Sequence, residues 1–241
     1  MEAGLAIHPR RADFDAWVRY AEPPASLIAL DGRTAAPIDL SRPPAEEVDP
    51  STLLGLSELV AARQREGGAD VGFGGYLERR AFYDTPVFAD GHGRQRSVHL
   101  GLDLWSPAGE AVFAPLDGIV VGARYHAGAR DYGAVIVVRH EITRAPGGQL
   151  PFYSLYGHLS RESLAQLAVG RFVAAGSVLA HTGTPADNGG WPPHLHFQVF
   201  LDDLGHEGDF PGVCFADEVD LWAGLCPDPW PLAGLPQSTR A

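Results

Sequence analysis

From residue 96 to residue 201 the chain alternates short runs rich in β-branched and aromatic residues with turns marked by glycine, proline and asparagine. This spacing of turns constrains the fold more than any other feature, because it leaves room for strands and little room for long helices. Strands are predicted at 96–103, 111–114, 117–125, 133–140, 151–157, 171–174, 178–181 and 194–201, with one short helix around 161–168. Asp117-Gly118, Pro146-Gly147-Gly148 and Asn188-Gly189-Gly190 supply turn signals. Ala134-Val135-Ile136-Val137-Val138 is apolar throughout, as expected of a central strand. With 29 glycines and 20 prolines beside 11 Phe, 7 Tyr and 5 Trp, the composition also favours a β-rich, turn-rich fold over a helical bundle. The expected class is mainly β.

Residues 1–90 read differently and are expected to form a small mixed α/β N-terminal extension. Phe14, Trp17 and Val18 stand at helical spacing. Asp49-Pro50 resembles an N-cap followed by proline at the first helical position, opening a helix that carries Leu53, Leu56, Leu59, Val60 and Arg63. A short strand is predicted at 26–30, ended by Asp31-Gly32, and proline pairs at 23–24 and 43–44 punctuate the connections. No chemistry is evident here, and a packing role is expected. The implied organisation is an extension at 1–90, a β core at 91–205 and a C-terminal tail at 206–241 packed on that core.

Charge excludes one class of partner. All 18 basic residues are arginine, against 30 acidic residues, for a net charge of −12. Nucleic-acid binding needs clustered positive charge, and no basic run occurs; the pairs Arg10-Arg11 and Arg79-Arg80 read as solvated. Cys214 and Cys226 are too few for a disulfide framework and are expected to be reduced core thiols. The first eleven residues hold no apolar region behind a basic one, which reads as cytoplasmic. No apolar stretch approaches the ~18 residues that a spanning helix requires.

Three segments carry candidate chemistry: His99-Leu100-Gly101-Leu102-Asp103, Tyr156-Gly157-His158-Leu159-Ser160 and His194-Leu195-His196-Phe197. On a strand, His194 and His196 share a face, about 7 Å apart along the backbone. One can bind a metal while the other stands over its open position. His99 and Asp103 also share a face, but four strand steps would separate them by roughly 13 Å unless the chain bends, which Gly101 permits. Two imidazoles and one carboxylate make a three-ligand zinc set with a fourth position open to water. His140-Glu141 begins like a helical zinc motif, but position 144 is Arg and the preceding run is a strand, so His140 reads as structural. His92, His126, His181 and His206 lack partners at ligand spacing. Asp187-Asn188, Trp191 and Pro192-Pro193 form either a groove wall or a rigid turn.

These segments resemble the lysostaphin-type, or β-lytic, zinc metallopeptidases, whose signatures are His-x-x-x-Asp, a Tyr-Gly-His-Leu-Ser type segment and His-x-His. Ser106-Pro107-Ala108-Gly109, the stretch Ala114-Pro115-Leu116-Asp117-Gly118-Ile119-Val120, and Val169-Gly170, Val173, Gly176 and Gly183 resemble the family as well. Coverage is about residues 96–200. The resemblance implies an antiparallel fold of the duplicated-hybrid-motif type with a groove across the sheet. It implies Zn2+ held by His99, Asp103 and His196, with His158 and His194 as non-ligand histidines that orient the attacking water and stabilise the oxyanion. It also implies hydrolysis of a peptide or muropeptide substrate. Gly72-Phe73-Gly74-Gly75-Tyr76 through Glu78-Arg79-Arg80, with Gly189 to Gln198, is similar to a subgroup embedded beside phosphotransferase and aminotransferase domains. In that setting the substrate would be a small soluble amide. A non-catalytic scaffold of the same fold typically lacks some ligands, and a phosphoryl-carrier domain needs no carboxylate beside its histidines; here all five residues are present.

Overall fold

The computed structural model describes residues 7–21, 24–42, 48–83 and 85–235. Pro23, Pro43 and Pro44 of the predicted connections lie outside the described residues. Among the described residues, twelve strands run in chain order: β1 (Ala35–Pro37), β2 (Val71–Gly74), β3 (Arg96–His99), β4 (Leu102–Trp105), β5 (Ala111–Phe113), β6 (Gly118–His126), β7 (Gly133–Ala145), β8 (Gly148–Leu159), β9 (Phe172–Val173), β10 (Val178–His181), β11 (Leu195–Phe200) and β12 (Val213–Phe215). Four α-helices accompany them among the described residues: α1 (Arg11–Val18), α2 (Leu53–Gly67), α3 (Arg161–Ala165) and α4 (Val219–Leu225). Eight strands form one sheet in the order β1-β2-β4-β11-β8-β7-β6-β9, and β10-β5 and β12-β3 form two small pairs. Every pairing except β1 with β2 is antiparallel. The fold is mainly β, as expected.

The apolar run at 134–138 is buried on both sides in β7, next to β8 in mid-sheet. The Pro146-Gly147 turn closes the β7–β8 hairpin, with Ala145 opposite Gly148. Two features depart from expectation. The apolar stretch 26–30 is not a strand, because its hydrogen bonds go to different segments: the Leu27 amide donates to the Ala233 carbonyl, and the Leu27 carbonyl accepts from the Phe113 amide. Leu27 and Ile28 are both fully buried, so strand alternation is absent as well. The second helix starts later than Asp49-Pro50. Asp49 Oδ1 accepts from the Ser51 amide in a turn of its own, and Thr52, extended at φ −92° and ψ 155°, caps α2 by accepting from the Gly55 amide at 3.0 Å. The free thiols of Cys214 and Cys226 are buried.

Two apolar clusters result. The larger fills the main sheet and takes in Phe14 of α1, Val71 and Phe73 of β2 and Trp222 of α4. The smaller joins Leu56, Leu59 and Val60 of α2 to Phe82, Tyr83, Phe88, Trp105 and Trp191. Thr52→Ala is expected to destabilise the protein by about 1 kcal/mol, the usual worth of an N-cap hydroxyl, with Thr52→Ser close to wild type in urea unfolding.

Candidate metal centre

Strand register assembles the centre. Asp103 on β4 stands opposite Gly74 of β2 on one side and His196 of β11 on the other, and His196 stands opposite Gly157 of β8. Cross-strand partners share a face, so a carboxylate and an imidazole lie side by side with a glycine flanking each. The chain bends between β3 and β4 at Leu100-Gly101, which brings His99 Nε2 to 3.3 Å from Asp103 Oδ1. Gly101 is needed for this approach. A Cβ there would lie 2.5 Å from His196 Cε1 and 2.7 Å from its Nε2.

His158 reaches the same face by a different device. Strict alternation would send residue 158 toward the core with Tyr156, whose ring packs on Phe197. Instead its φ is 61°, sparsely populated for a non-glycine residue, and its ring lies 4.3 Å from the His194 ring. The turn before β11 is clamped by buried Asn188, whose side chain accepts from the Trp191 amide and donates to the Trp191 carbonyl. Trp191 is thus both a packed turn residue and part of the cavity wall.

Each of the four histidines has one ring nitrogen tied to a carbonyl oxygen. His99 Nδ1 donates to Gly75 O at 2.9 Å, His158 Nδ1 to Asn188 O at 3.0 Å, His194 Nδ1 to Pro192 O at 2.7 Å, and His196 Nε2 to Gln198 Oε1 at 3.0 Å. Carbonyl oxygens only accept, so these nitrogens carry the protons and the opposite nitrogens present lone pairs. Outer acceptors of this kind fix the tautomer of metal-binding imidazoles.

Burial, reinforced by Arg80, lowers the His99 pKa to about 4, and burial lowers that of His194 to about 4. Burial, with His194 and His196 nearby, takes His158 well below the usual imidazole range. For Asp103 burial opposes ionisation, but His99 and the Arg80 guanidinium outweigh it and hold the carboxyl well below its ordinary value.

These residues fit a divalent cation. His99 Nε2 and His196 Nδ1 are 2.8 Å apart, with Asp103 Oδ1 3.3 Å from each. Both oxygens of this carboxylate are buried and neither accepts a hydrogen bond; Oδ2 has the Arg80 guanidinium as an ion-pair partner at 2.7 Å, and Oδ1 faces only the imidazoles. Lone pairs and an anionic oxygen facing one point repel unless a cation lies between them. Ligand atoms of the three residues all fall within 4.8 Å of one another. His194 Nε2 is 3.8 Å from Asp103 Oδ1, and its ring stacks on Trp105 at 4.1 Å. The group lines a cavity of about 400 Å³, whose wall also includes Tyr83, Tyr132 and Trp191.

The other histidines sort cleanly. His140 is buried between the Asp117 carbonyl and the Ser154 hydroxyl and stacks on Phe152, a structural role. His92 and His181 are exposed. His126 and His206 line the cavity. Three further neighbours of the centre have no role in the sequence reading. Gln198 and Trp105 lie two residues beyond His196 and Asp103 on the same strands, and this spacing is itself a signal. Arg80 is the third, and here the reading is corrected: its side chain is not solvated but 3% exposed, with Nη1 2.7 Å from Asp103 Oδ2. A buried carboxylate attracts a guanidinium out of water where the backbone delivers one.

The profile described as Peptidase family M23 matches residues 97–206. No curated protein matches the chain. Among solved structures, the catalytic domain of the antimicrobial peptidase lysostaphin from Staphylococcus simulans is 21% identical over 58% of this chain and 81% of that one, with a TM-score of 0.37. A zinc containing peptidase from Vibrio cholerae is 26% identical over 51% of this chain and 34% of that one, with a TM-score of 0.35. The prophage-encoded M23 protein EnpA from Enterococcus faecalis, as the catalytic domain of a mutant, is 18% identical over 50% of this chain and 81% of that one, with a TM-score of 0.34.

Gly101→Ala is expected to cost about 1–3 kcal/mol through overpacking against the His196 ring. Chemical denaturation checks this, and an unchanged stability would show that the ring has room to move.

Proposed function

We propose that this chain, whose residues 97–206 match the Peptidase family M23 profile, is a zinc-dependent metalloendopeptidase acting on peptidoglycan-type or other short peptides. One observation carries the reading: four imidazoles and a buried carboxylate gather at the wall of an open cavity, each imidazole with its outer nitrogen anchored on a carbonyl oxygen. His99 Nε2, Asp103 Oδ1 and His196 Nδ1 would hold the ion, a three-ligand set with a position left for water. Zinc there supplies Lewis-acid polarisation of a carbonyl and lowers the pKa of water toward ~7.

The remaining steps belong to His158 and His194. Both present an unprotonated Nε2 to the cavity, placed to take a proton from the attacking water and return it to the leaving amine. Once protonated, the same nitrogen donates to the developing oxyanion. Asn188 and Pro192 carbonyls hold the two rings in the required tautomer, and the Trp105 face keeps the His194 ring in plane. Trp191 and Tyr132 crowd the cavity, so glycine or alanine beside the scissile bond would let the peptide backbone approach.

The reading is tested by incubating the protein with intact sacculi, soluble muropeptides and small amides, with and without a chelator, followed by mass spectrometry. Chelator-sensitive cleavage of peptide bonds is expected; cleavage confined to small amides would move the substrate to that class, and chelator-resistant cleavage would overturn the metal mechanism. Asp103→Asn is expected to lose most bound zinc in elemental analysis after dialysis while retaining its circular dichroism. His158→Ala and His194→Ala are each expected to retain zinc and lose about 10²–10⁴-fold in turnover. Loss of metal from either histidine variant would reverse the division of roles.

A further inference from the structure

Arg80 lies outside the segment that carries the family match, yet its guanidinium touches the carboxylate at the heart of the centre. Three backbone hydrogen bonds fasten its segment to β3: the Leu77 amide to the His99 carbonyl, the His99 amide to the Glu78 carbonyl, and the Arg80 amide to the Ser97 carbonyl. The side chain is then fixed at several points. Nε donates to Glu78 Oε2 at 2.6 Å, and Nη1 donates to the Tyr83 hydroxyl at 2.8 Å while lying 2.7 Å from Asp103 Oδ2. Glu78 is itself anchored, accepting from the Leu40 amide at 2.8 Å. Gly75 of the same segment gives its carbonyl to His99, and its φ of 102° with no side chain leaves room for both His99 and Arg80. Residues 75–80 therefore contact two of the three proposed ligands from behind.

We infer that Arg80 is a positioning residue that holds Asp103 as a one-oxygen ligand, occupying Oδ2 so that Oδ1 alone faces the metal position. This rests on the assignment of His99, Asp103 and His196 as ligands. A carboxylate with both oxygens free can chelate a divalent ion through both, raising the coordination number and filling the position that water needs. A guanidinium held by Glu78 and Tyr83 resists that rotation, because its planar fork is fixed before Asp103 engages it. A simple buried ion pair would require only the contact; here the two carboxylate oxygens are divided, Oδ2 toward the guanidinium and Oδ1 toward the imidazoles.

The test uses the full chain loaded with Co2+, whose visible absorption reports coordination number. Wild type is expected to show the intense bands of a four-coordinate ion. Arg80→Met is expected to show bands weakened about twofold or more, as Oδ2 joins the shell, and metal affinity reduced by about 10–100-fold in chelator competition, the usual scale for an outer-shell partner. Arg80→Lys retains a cationic donor and is expected to keep the wild-type bands. Should Arg80→Met fail to fold, Arg80→Gln, which is neutral and polar, is read for the same weakening. Wild-type bands and affinity in a folded Arg80→Met or Arg80→Gln protein would overturn the inference. So would identical changes in the Lys and Met variants accompanied by equal losses of melting temperature, which mark a packing role. Failure of wild type to bind Co2+ at all would instead sink the ligand assignment beneath it.

Discussion

An ionised carboxylate with no solvent exposure is the constraint around which this molecule is arranged. Asp103 is 0% exposed, and an unpaired buried charge costs several kcal/mol even after relaxation. The sheet order places β4 between β2 and β11, so Asp103 cannot reach water past an edge. Compensation must come from neighbouring side chains, and it comes from Arg80 on one oxygen and the imidazole group around the other. The glycines that flank the Asp103–His196 pair make this possible. Gly157 leaves space for the Tyr132 ring, and Gly74 leads into the Gly75 turn that supports His99.

The aromatic cluster beside the centre follows from the same constraint. Tyr83 meets Trp191 edge-on at 6.1 Å, Phe88 lies 6.4 Å from Trp191, and Trp105 stacks on His194. Such a wall keeps the local dielectric low, which strengthens both the Arg80–Asp103 attraction and any interaction with charge developing on a substrate. α2 packs Leu56, Leu59 and Val60 against this wall. An element with no chemical residue thus serves the centre by keeping it dry.

What was legible in the sequence was local periodicity. Parity along a strand placed His194 with His196, and the need for a bend at Gly101 followed from the length of four strand steps. Register across strands was not legible: nothing in the spacing says that Asp103 stands opposite His196 or that Gly157 follows it. His158 reaches the centre through a positive φ that breaks the alternation on which strand reading depends. Arg79-Arg80 looked like any solvated pair because a local pattern cannot reveal a carboxylate 23 residues away. The departures at Asp49-Pro50 and at 26–30 share one origin: turn and apolar signals do not by themselves make regular elements, and in the second case tertiary contacts with Ala233 and Phe113 decide the conformation.

The centre and the family match do not share boundaries. Ligand candidates and both accessory histidines fall within 97–206, but their supports come from both sides of it. Upstream, Gly75 sets the His99 tautomer and Arg80 engages Asp103. Downstream, Gln198, which holds His196, donates its own amide to the Pro211 carbonyl at 3.0 Å and lies 3.6 Å from Cys226 Sγ. The Tyr132 hydroxyl, beside His158 and His196, donates to the Phe210 carbonyl. Outer contacts of this kind orient the imidazoles and carboxylate and set how strongly they bind. The flanking segments therefore do more than cover the sheet: the upstream segment constrains Asp103 and His99, and the downstream segment constrains His196 through Gln198. Because β2 and β12 pair directly with β4 and β3, the same hydrogen bonds that complete the sheets deliver these supports, and the centre's geometry is tied to the packing of the whole chain.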